Sequence, residues 1–207
     1  MSSISIIGVG GMARAIGARA VEGGHAVEVI GRDAAKAKDL AAALGGGATA
    51  GTFGTTPTGD LVILAVPHAG GVPVVTRYGD ALAGKVVIDI SNTFAGPDDA
   101  VLATPEGSSG AQEIAKAAPA SAHVVKAFNT VFGHVLARGG SLDVLFAGDD
   151  EGAKASVSVF IESLGLRPLD VGGLAMAHWL EGAGLLLMGL ARSGAGFDVA
   201  LNVTILD

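Results

Sequence analysis

The sequence contains no cysteine among its 207 residues. Disulfide bonds, thiol catalysis and thiolate metal sites are therefore excluded. Basic residues are also few, because 13 lysines and arginines face 20 aspartates and glutamates, which gives a formal net charge of −7. No cluster of basic residues offsets this charge, and nucleic-acid binding is accordingly not expected.

Long uninterrupted apolar runs are absent as well, although 50% of the residues are hydrophobic. The most apolar stretch, Leu174 to Ala191, is interrupted by His178, Glu181 and three glycines, and we expect no membrane-spanning helix. The N-terminus has no basic segment before its apolar run, so it does not read as a secretory signal. A cytoplasmic protein without a membrane partner is predicted.

Strand-like and helix-like segments alternate along almost the whole chain. The predicted strands are Ile4–Gly8, Ala26–Ile30, Leu61–Val66, Val86–Ile90, His123–Phe128, Val144–Gly148 and Arg167–Val171. The predicted helices are Met12–Glu22, Ala34–Leu44, Val72–Leu82, Gly110–Ala117, Val131–Ala137, Glu151–Leu164 and Leu174–Ala191. Continuous apolar runs such as LVILAV are typical of strands buried on both faces of a parallel sheet. The pattern predicts an α/β fold of the Rossmann type, a doubly wound and mostly parallel sheet with a small helical C-terminal extension.

Two stretches do not fit the alternation. Residues 45–59 are too short and too rich in glycine and threonine for a full helix, so we expect one short strand and a bare connection there. Residues 91–109 are predicted to be a loop, and a connection of this length is often functional. Ser109 and Gln112 resemble a capping box that opens the next helix.

The first predicted strand runs into the pattern G-x-G-x-x-A and then into a helix. Gly8 permits a sharp turn, Gly10 leaves room for a pyrophosphate, and Ala13 allows close packing of helix on strand. The helix N-terminus then offers free N–H groups to phosphates. The alternative is a tight turn without a ligand. The predicted phosphate-binding residues are Gly8, Val9, Gly10, Gly11, Met12 and Ala13.

The end of the second predicted strand bears on the choice between NAD(H) and NADP(H). An NAD(H)-selective protein usually places Asp or Glu there, whereas this chain has Gly31 followed by Arg32, with Lys36 one helical turn later. Two cations at this point favour the 2′-phosphate of NADP(H). Asp33 could instead serve NAD(H), but we interpret it as the N-cap of the next helix.

The domain organisation follows from these assignments. Residues 1–150 are predicted to form the NADP-binding Rossmann domain, and residues 151–207 a small C-terminal α/β extension within the same compact unit. The last long helix is apolar nearly all round and must be buried, either in the core or against another subunit. We favour the subunit contact and expect a homodimer.

Several longer motifs carry a family resemblance over nearly the whole chain. They are GVGGMARAIG, VIGRDAAKA, LAVPHA, TPEGSSGAQEIAKAAP, VVKAFNTVFGHVL and VLFAGDDEGAKASVSVFIESLGLRPLDVGGL. The chain resembles the NADPH-dependent coenzyme F-420 reductases (F-420H2:NADP oxidoreductases) and their bacterial relatives of unassigned substrate. The KAFNT segment is also similar to the reductase domain of the STEAP metalloreductases.

The resemblance implies a small dimer that carries hydride between NADP(H) and a deazaflavin, coenzyme F-420, stacked face to face in a cleft. By position it implies that Gly31, Arg32 and Lys36 bind the 2′-phosphate. It also implies a nicotinamide site beside Val66, Pro67 and His68, and a deazaflavin site bordered by Ser91, Asn92, Ala127, Asn129, Thr130 and Val131.

Candidate catalytic residues are few, which is compatible with hydride transfer, since the cofactor carries the difficult chemistry. The single tyrosine, Tyr78, excludes a Tyr-x-x-x-Lys dehydrogenase. His68 follows a strand end and could bond the cofactor or supply a proton, or could simply begin a helix. Asn129 and Thr130 could point into the same cleft, although Thr130 could instead cap the helix at 131–137.

The remaining polar candidates favour structural roles. His134, His178 and Trp179 are predicted to pack or to form an interface. Asp149, Asp150 and Glu151 are predicted to cap the following helix rather than to bind a metal, and Asp89 to stabilise the turn after its strand. Three functions stay open: an F-420 reductase, a reductase of a small carbonyl, imine or flavin, and a non-catalytic NADP(H) sensor.

Overall fold

The computed structural model describes residues 2–96 and 100–206 of the chain. The strands are β1 (Ser3–Ile7), β2 (Ala26–Gly31), β3 (Thr49–Thr52), β4 (Leu61–Leu64), β5 (Val86–Asp89), β6 (Phe94–Ala95), β7 (Val101–Leu102), β8 (His123–Lys126), β9 (Asp143–Gly148) and β10 (Arg167–Asp170). The helices are α1 (Gly11–Glu22), α2 (Ala34–Leu44), α3 (His68–Tyr78), α4 (Gly110–Ala117), α5 (Gly133–Arg138), α6 (Glu151–Ser163) and α7 (Ala177–Leu190).

Eight strands of the described residues form one sheet in the order β10-β9-β8-β5-β4-β1-β2-β3. Within it β8 and β9 are antiparallel, and each other neighbouring pair among the described strands is parallel. The predicted Rossmann-type α/β fold is thereby confirmed. Because β1 lies between β2 and β4, the strand order changes direction at β1, and ligands of open α/β sheets bind at such a switch point.

Apolar clusters cover both faces of the sheet, as the continuous apolar strands require. On one face, Ile6 of β1 packs with Ile16 of α1 and Phe160 of α6. On the other face, Ile7 packs in a cluster with Val75 of α3 and with residues of α4. Successive residues of β1 therefore serve opposite faces, and β4 is buried along its whole length.

Helix caps follow the predicted chemistry. The Asp33 carboxylate accepts hydrogen bonds from the backbone N–H of Ala35 and Lys36 at the start of α2. Ser109 accepts one from Gln112 N at the start of α4. Asp150 likewise accepts one from Ala153 N at the start of α6. The N-cap assignments of Asp33, Ser109 and Asp150 are confirmed.

Other boundaries differ from the prediction. Helix α3 begins at His68 rather than Val72, and a 3-10 turn over Gly79–Leu82 follows its end at Tyr78. Gly71 lies inside this helix, facing α4. A Cβ at this position would come 2.9 Å from Cδ1 of Ile114, so the glycine allows α3 to pack closely against α4. The short strand expected within residues 45–59 is β3. The predicted loop at 91–109 contains the antiparallel pair β6 and β7.

Helix α7 has one buried face and one exposed face, so it is not enclosed all round. Leu180, Glu181, Gly184 and Leu187 are buried against the sheet side of the molecule. Helical residues continue from Leu174 to Ala195, and by length and composition alone this stretch could cross a membrane, which departs from our expectation. The fully buried Glu181 bonds to Lys126 of β8, so the helix packs on the α/β domain.

The C-terminal segment 196–206 runs back over the domain. Asp198 pairs with Arg138 of α5, and Val203 N donates to the Asp143 carboxylate at the start of β9. The Arg167 guanidinium beside Asp143 lowers the pKa of that carboxyl, which keeps the anchor of this segment ionised. The sheet itself continues through both predicted regions, since β9 belongs to residues 1–150 and β10 to residues 151–207.

Candidate functional site

The turn after β1 can be made only without a side chain at position 8. Gly8 has φ = +140°, and a Cβ there would lie 2.1 Å from the carbonyl oxygen of Ala65. Its N–H donates to Ile30 O at 2.8 Å, which ties the turn to the end of β2. The chain therefore leaves the sheet at its switch point and enters α1 directly.

Gly10 caps α1 and offers open space. A Cβ at this position would meet no atom within 4 Å, and Gly10 as the N-cap residue makes no side-chain hydrogen bond to the first turn. The first N–H groups of α1 thus face an open region beside β1 and β4, which is the arrangement that binds phosphate at a helix start. The buried Ala13 completes the close packing of α1 on the sheet.

A cavity of about 710 Å³ adjoins this turn on the side of β2 and α3. Its lining brings together the predicted cofactor residues Gly8, Val9, Gly10, Gly31, Arg32, Lys36, Val66 and Pro67. A side chain at Gly31 would come 2.9 Å from Cγ1 of Val9, so an acidic residue at this strand end would crowd the turn. Where NAD(H)-selective proteins have a carboxylate, this cavity is bounded by the cations Arg32 and Lys36.

Arg77 and Phe53 also line this cavity, and the sequence motifs did not identify them. Arg77 lies in the last turn of α3, and Phe53 follows the edge strand β3. Neither Arg32 nor Arg77 forms an ion pair within residues 2–96 and 100–206, so both guanidinium groups are available to an anion. Asp33, the acidic residue of the lining, is engaged as the α2 cap.

A second cavity of about 190 Å³ lies at the carboxyl ends of β5 and β8. It is lined by Met12, Ile90, Asn92, Phe94, Phe128, Asn129, Thr130, Val131, Phe132, Gly133, Gly184, Leu187 and Met188. Met12 follows the phosphate-type turn by two residues, so the two cavities lie on either side of the start of α1. The walls are mostly apolar, and α7 supplies one of them.

An amide pair forms the polar part of this second cavity. Asn92 Nδ2 donates to Asn129 O at 2.8 Å, and Asn129 Nδ2 donates to Asn92 Oδ1 at 2.9 Å and to Leu180 O at 2.8 Å. Asn129 Oδ1 and the hydroxyls of Thr130 and Ser91 are buried without a hydrogen-bond partner. Unpartnered buried polar atoms are costly, and their concentration beside a cavity makes it a candidate ligand site.

Backbone strain accompanies this amide pair. Phe128 has φ = +61°, a left-handed conformation that a bulky side chain rarely adopts. The strained residue turns the chain directly after β8, and Asn129 and Thr130 follow at the cavity. Thr130 does not cap α5, since Phe132 occupies the N-cap position and Thr130 Oγ1 has no partner. Its alternative role as a helix cap is wrong.

His68 lines neither of the two cavities. It is the first residue of α3, and its Nε2 lies 3.7 Å from Glu113 Oε2 of α4. The structure therefore gives it the contacts of a helix-start residue, while Val66 and Pro67 before it reach the larger cavity. Ser91 and Ala127 are buried behind the smaller cavity and do not line it.

Tyr78 lies behind the larger cavity. Its ring packs edge-on against Phe53 with 5.6 Å between ring centroids, and burial raises the pKa of its hydroxyl. The side chain stays neutral at physiological pH and lines neither cavity.

Residues 3–93 match the family described as NADP oxidoreductase, coenzyme F420-dependent. The rat metalloreductase STEAP3 is 31% identical over 188 residues, which are 89% of this chain and 37% of that protein. The chain therefore spans little more than a third of that relative. The F420-dependent NADP reductase of Methanocaldococcus jannaschii is 29% identical over 157 residues, 72% of this chain and 70% of that enzyme.

Solved structures show the same fold. A protein from Arthrobacter sp. FB24, provisionally described as an F420-dependent NADP reductase, superposes with a TM-score of 0.86 at 23% identity, covering 99% of this chain and all of that one. The imine reductase of Aspergillus terreus superposes with a TM-score of 0.71 at 22% identity, covering 95% of this chain and 64% of that enzyme.

Gly10→Val should abolish binding of NADPH and NADH alike, because the added side chain fills the space where a pyrophosphate approaches α1. The variant should fold, since a Cβ at Gly10 meets no atom within 4 Å. Isothermal titration with both cofactors and thermal unfolding measure the two effects. Gly8→Val is the contrast: it should lose thermal stability as well, because of its 2.1 Å clash with Ala65 O. A stable Gly10→Val variant that still binds would place the phosphates elsewhere.

Arg32→Glu should raise the NADPH dissociation constant at least about tenfold, since a charge-assisted phosphate contact becomes a repulsion. Arg77→Glu should act in the same direction, because Arg77 faces the same cavity. Binding of NADH should change less in both variants. Lys38→Glu, at an exposed position of α2 outside the cavity lining, carries the same charge change and is the control. Equal effects at positions 32 and 38 would indicate a general field rather than a phosphate contact.

Proposed function

We propose that this chain, whose residues 3–93 match the family of F420-dependent NADP oxidoreductases, transfers hydride between NADPH and a deazaflavin, coenzyme F-420. The observation that carries the proposal is the placement of two cavities on either side of the α1 start, one bounded by cations and one by apolar walls with an amide pair. The first suits the adenosine end of NADPH, and the second suits the reacting rings.

The larger cavity fits NADPH by the chemistry of its lining. The open α1 start beside Gly10 would hold the pyrophosphate, and Arg32, Lys36 and Arg77 would surround the 2′-phosphate. Gly31 leaves no carboxylate to repel it. The family description, which names NADP, agrees with the predicted choice of NADP(H) over NAD(H).

The smaller cavity would hold the nicotinamide and its acceptor. NADPH supplies the hydride, and the acceptor takes it up together with a proton. The chain's own part is to orient the rings and to exclude water, for which Phe94, Phe132, Leu187 and Met188 provide apolar walls. Asn129 and Thr130 carry the unpartnered polar atoms, which could bond a carboxamide or a ring N–H, and we assign them this binding role.

A reductase of a small carbonyl, imine or flavin is the second candidate, and the size of the smaller cavity favours it. About 190 Å³ lies below the range of roughly 300–1,000 Å³ typical of pockets for larger ligands. Beside the nicotinamide, a compact carbonyl or imine needs less of this space than a deazaflavin does. A deazaflavin would need the cavity to extend beyond the walls of a single chain.

NADPH oxidation by the purified protein distinguishes these functions. Coenzyme F-420, FMN, a cyclic imine and a small ketone are offered in parallel, and absorbance changes are followed. We expect rapid turnover with F-420 and loss of that turnover in Gly10→Val, which removes the cofactor. Turnover with only the imine or ketone would move the assignment to the second candidate. Tight NADPH binding without turnover of any acceptor would indicate an NADP(H) sensor.

The protein is further proposed to be a cytoplasmic homodimer joined through α7, without a nucleic-acid or membrane partner. The exposed face of the helical segment carries Met176, Trp179, Leu186 and Leu190, whose spacings of three, seven and four residues place them on one side of a helix. Trp179 is 66% exposed and Leu186 is 77% exposed, a concentration of apolar surface typical of an interface. A second copy of the same stripe is its natural complement, and its opposite face holds the helix to the domain.

Leu186→Glu should convert a dimer to a monomer, because two carboxylates would be buried against each other at a two-fold contact. Light scattering coupled to size exclusion measures the mass. Val159→Glu on α6, where the side chain is 61% exposed and outside the stripe, is the matched control and should stay dimeric. A wild-type monomer at all concentrations tested would refute the dimer and leave the stripe to another partner.

A further inference from the structure

A cluster of three charged side chains is completely buried behind the smaller cavity. Lys126 Nζ donates to Asp89 Oδ2 at 2.7 Å and to Glu181 Oε1 at 2.8 Å. None of the three side chains is more than 1% exposed. Asp89 ends β5, Lys126 ends β8, and Glu181 lies in α7, so the cluster joins two neighbouring strands to the last helix.

The same three residues hold the start of the 91–109 loop. Lys126 Nζ also donates to the carbonyl oxygen of Ser91 at 2.5 Å, and Asp89 Oδ1 accepts from Ser91 N at 2.9 Å. This second bond confirms the predicted role of Asp89 in the turn after its strand. Glu181 accepts from the Thr93 hydroxyl at 2.8 Å and from Gly110 N at 3.0 Å. Both ends of the loop are thus fixed to one carboxylate.

The chain neighbours of the cluster are the polar residues of the cavity. Asn92 lies between Ser91 and Thr93, both of which the cluster holds. Asn129 follows Lys126 by one strained turn, and its amide donates to the carbonyl oxygen of Leu180, the residue before Glu181. The cluster therefore determines where both members of the amide pair stand, although none of its charged groups lines the cavity.

Stability alone does not account for such a cluster. Buried ion pairs can be replaced by apolar residues of similar volume without loss of stability, because desolvation offsets most of their attraction. Here one ammonium faces two carboxylates, and the excess negative charge of Glu181 is met by the N-terminus of α4 at Gly110. What an ionic cluster provides and an apolar contact does not is a single fixed direction for each bonded group.

We propose that Lys126 is a positioning residue for hydride transfer, which holds the Ser91–Thr93 backbone and α7 so that Asn92 and Asn129 orient the reacting rings. The inference rests on the proposed function and adds to it a residue that touches neither cofactor nor acceptor. Its loss should affect the chemical step and the nicotinamide end of the cofactor, and should leave the adenosine end, in the other cavity, unaffected.

The test compares Lys126→Met with the wild type in NADPH oxidation by coenzyme F-420. We expect kcat per bound NADPH to fall about 10²-fold, the loss typical of a misplacement near 1 Å. The primary isotope effect with NADPH deuterated at C4 should rise as hydride transfer becomes rate-limiting. A smaller folded fraction would lower the apparent rate without raising the isotope effect. Lys154→Met is the matched control, because Lys154 of α6 also lies between two carboxylates, those of Glu151 and Asp170.

A second variant covers the case in which Lys126→Met does not fold. Combining Lys126→Met with Asp89→Asn and Glu181→Gln removes three charges together, and it keeps the side-chain shapes and one acceptor oxygen at each of positions 89 and 181. It should show the same fall in kcat and the same rise in isotope effect. Unchanged kcat and isotope effect in a folded variant would overturn the positioning role.

A readout independent of turnover separates this inference from the proposed function. Affinity for 2′,5′-ADP should be unchanged in the variants, whereas the emission of bound NADPH should shift towards that of the free cofactor as the nicotinamide loses its fixed surroundings. If the wild type reduces no acceptor, the proposed function fails. The positioning role of Lys126 is then judged from the emission of bound NADPH alone. Wild-type emission in the variants would then reject the positioning role.

Discussion

The close approach of two backbone segments at the centre of the sheet is the constraint on which the rest of the molecule depends. Where β1 ends, the chain passes so near the carbonyl of Ala65 after β4 that only glycine can stand at position 8. That contact fixes the direction of α1 and opens one cavity towards β2 and α3 and another towards β5 and β8. A side chain at this point would displace the helix start from both cavities at once.

The sequence allows prediction of the features that depend on local chemistry. The buried strands, the turn at Gly8, the caps by Asp33 and Asp150 and the cations at Arg32 and Lys36 follow from nearest neighbours and from the spacing of apolar residues. Each is determined within one turn of helix or one strand. For the same reason the position of the phosphate-type turn follows from the sequence alone.

Features that depend on distant contacts could not be derived in this way. Arg77 in the last turn of α3 lines the larger cavity together with Phe53, and this meeting of two segments distant in sequence follows from no local pattern. His68 is attractive by position after a strand, yet its imidazole lies beside Glu113 of α4. The contribution of α7 to the smaller cavity depends on a contact between Glu181 and Lys126, which no local pattern reveals.

The unequal charge of the buried cluster also constrains how the sequence can change over generations. Loss of Lys126 alone leaves two buried carboxylates without their counter-ion. Loss of Glu181 alone leaves the amide of Gly110 and the hydroxyl of Thr93 without their acceptor. Single exchanges at either position therefore pass through a less fit intermediate. Positions 126 and 181, although 55 residues apart, should vary together across descendants of a common ancestor. Lineages that abandon one of them should have rebuilt the whole connection between the last helix and the sheet.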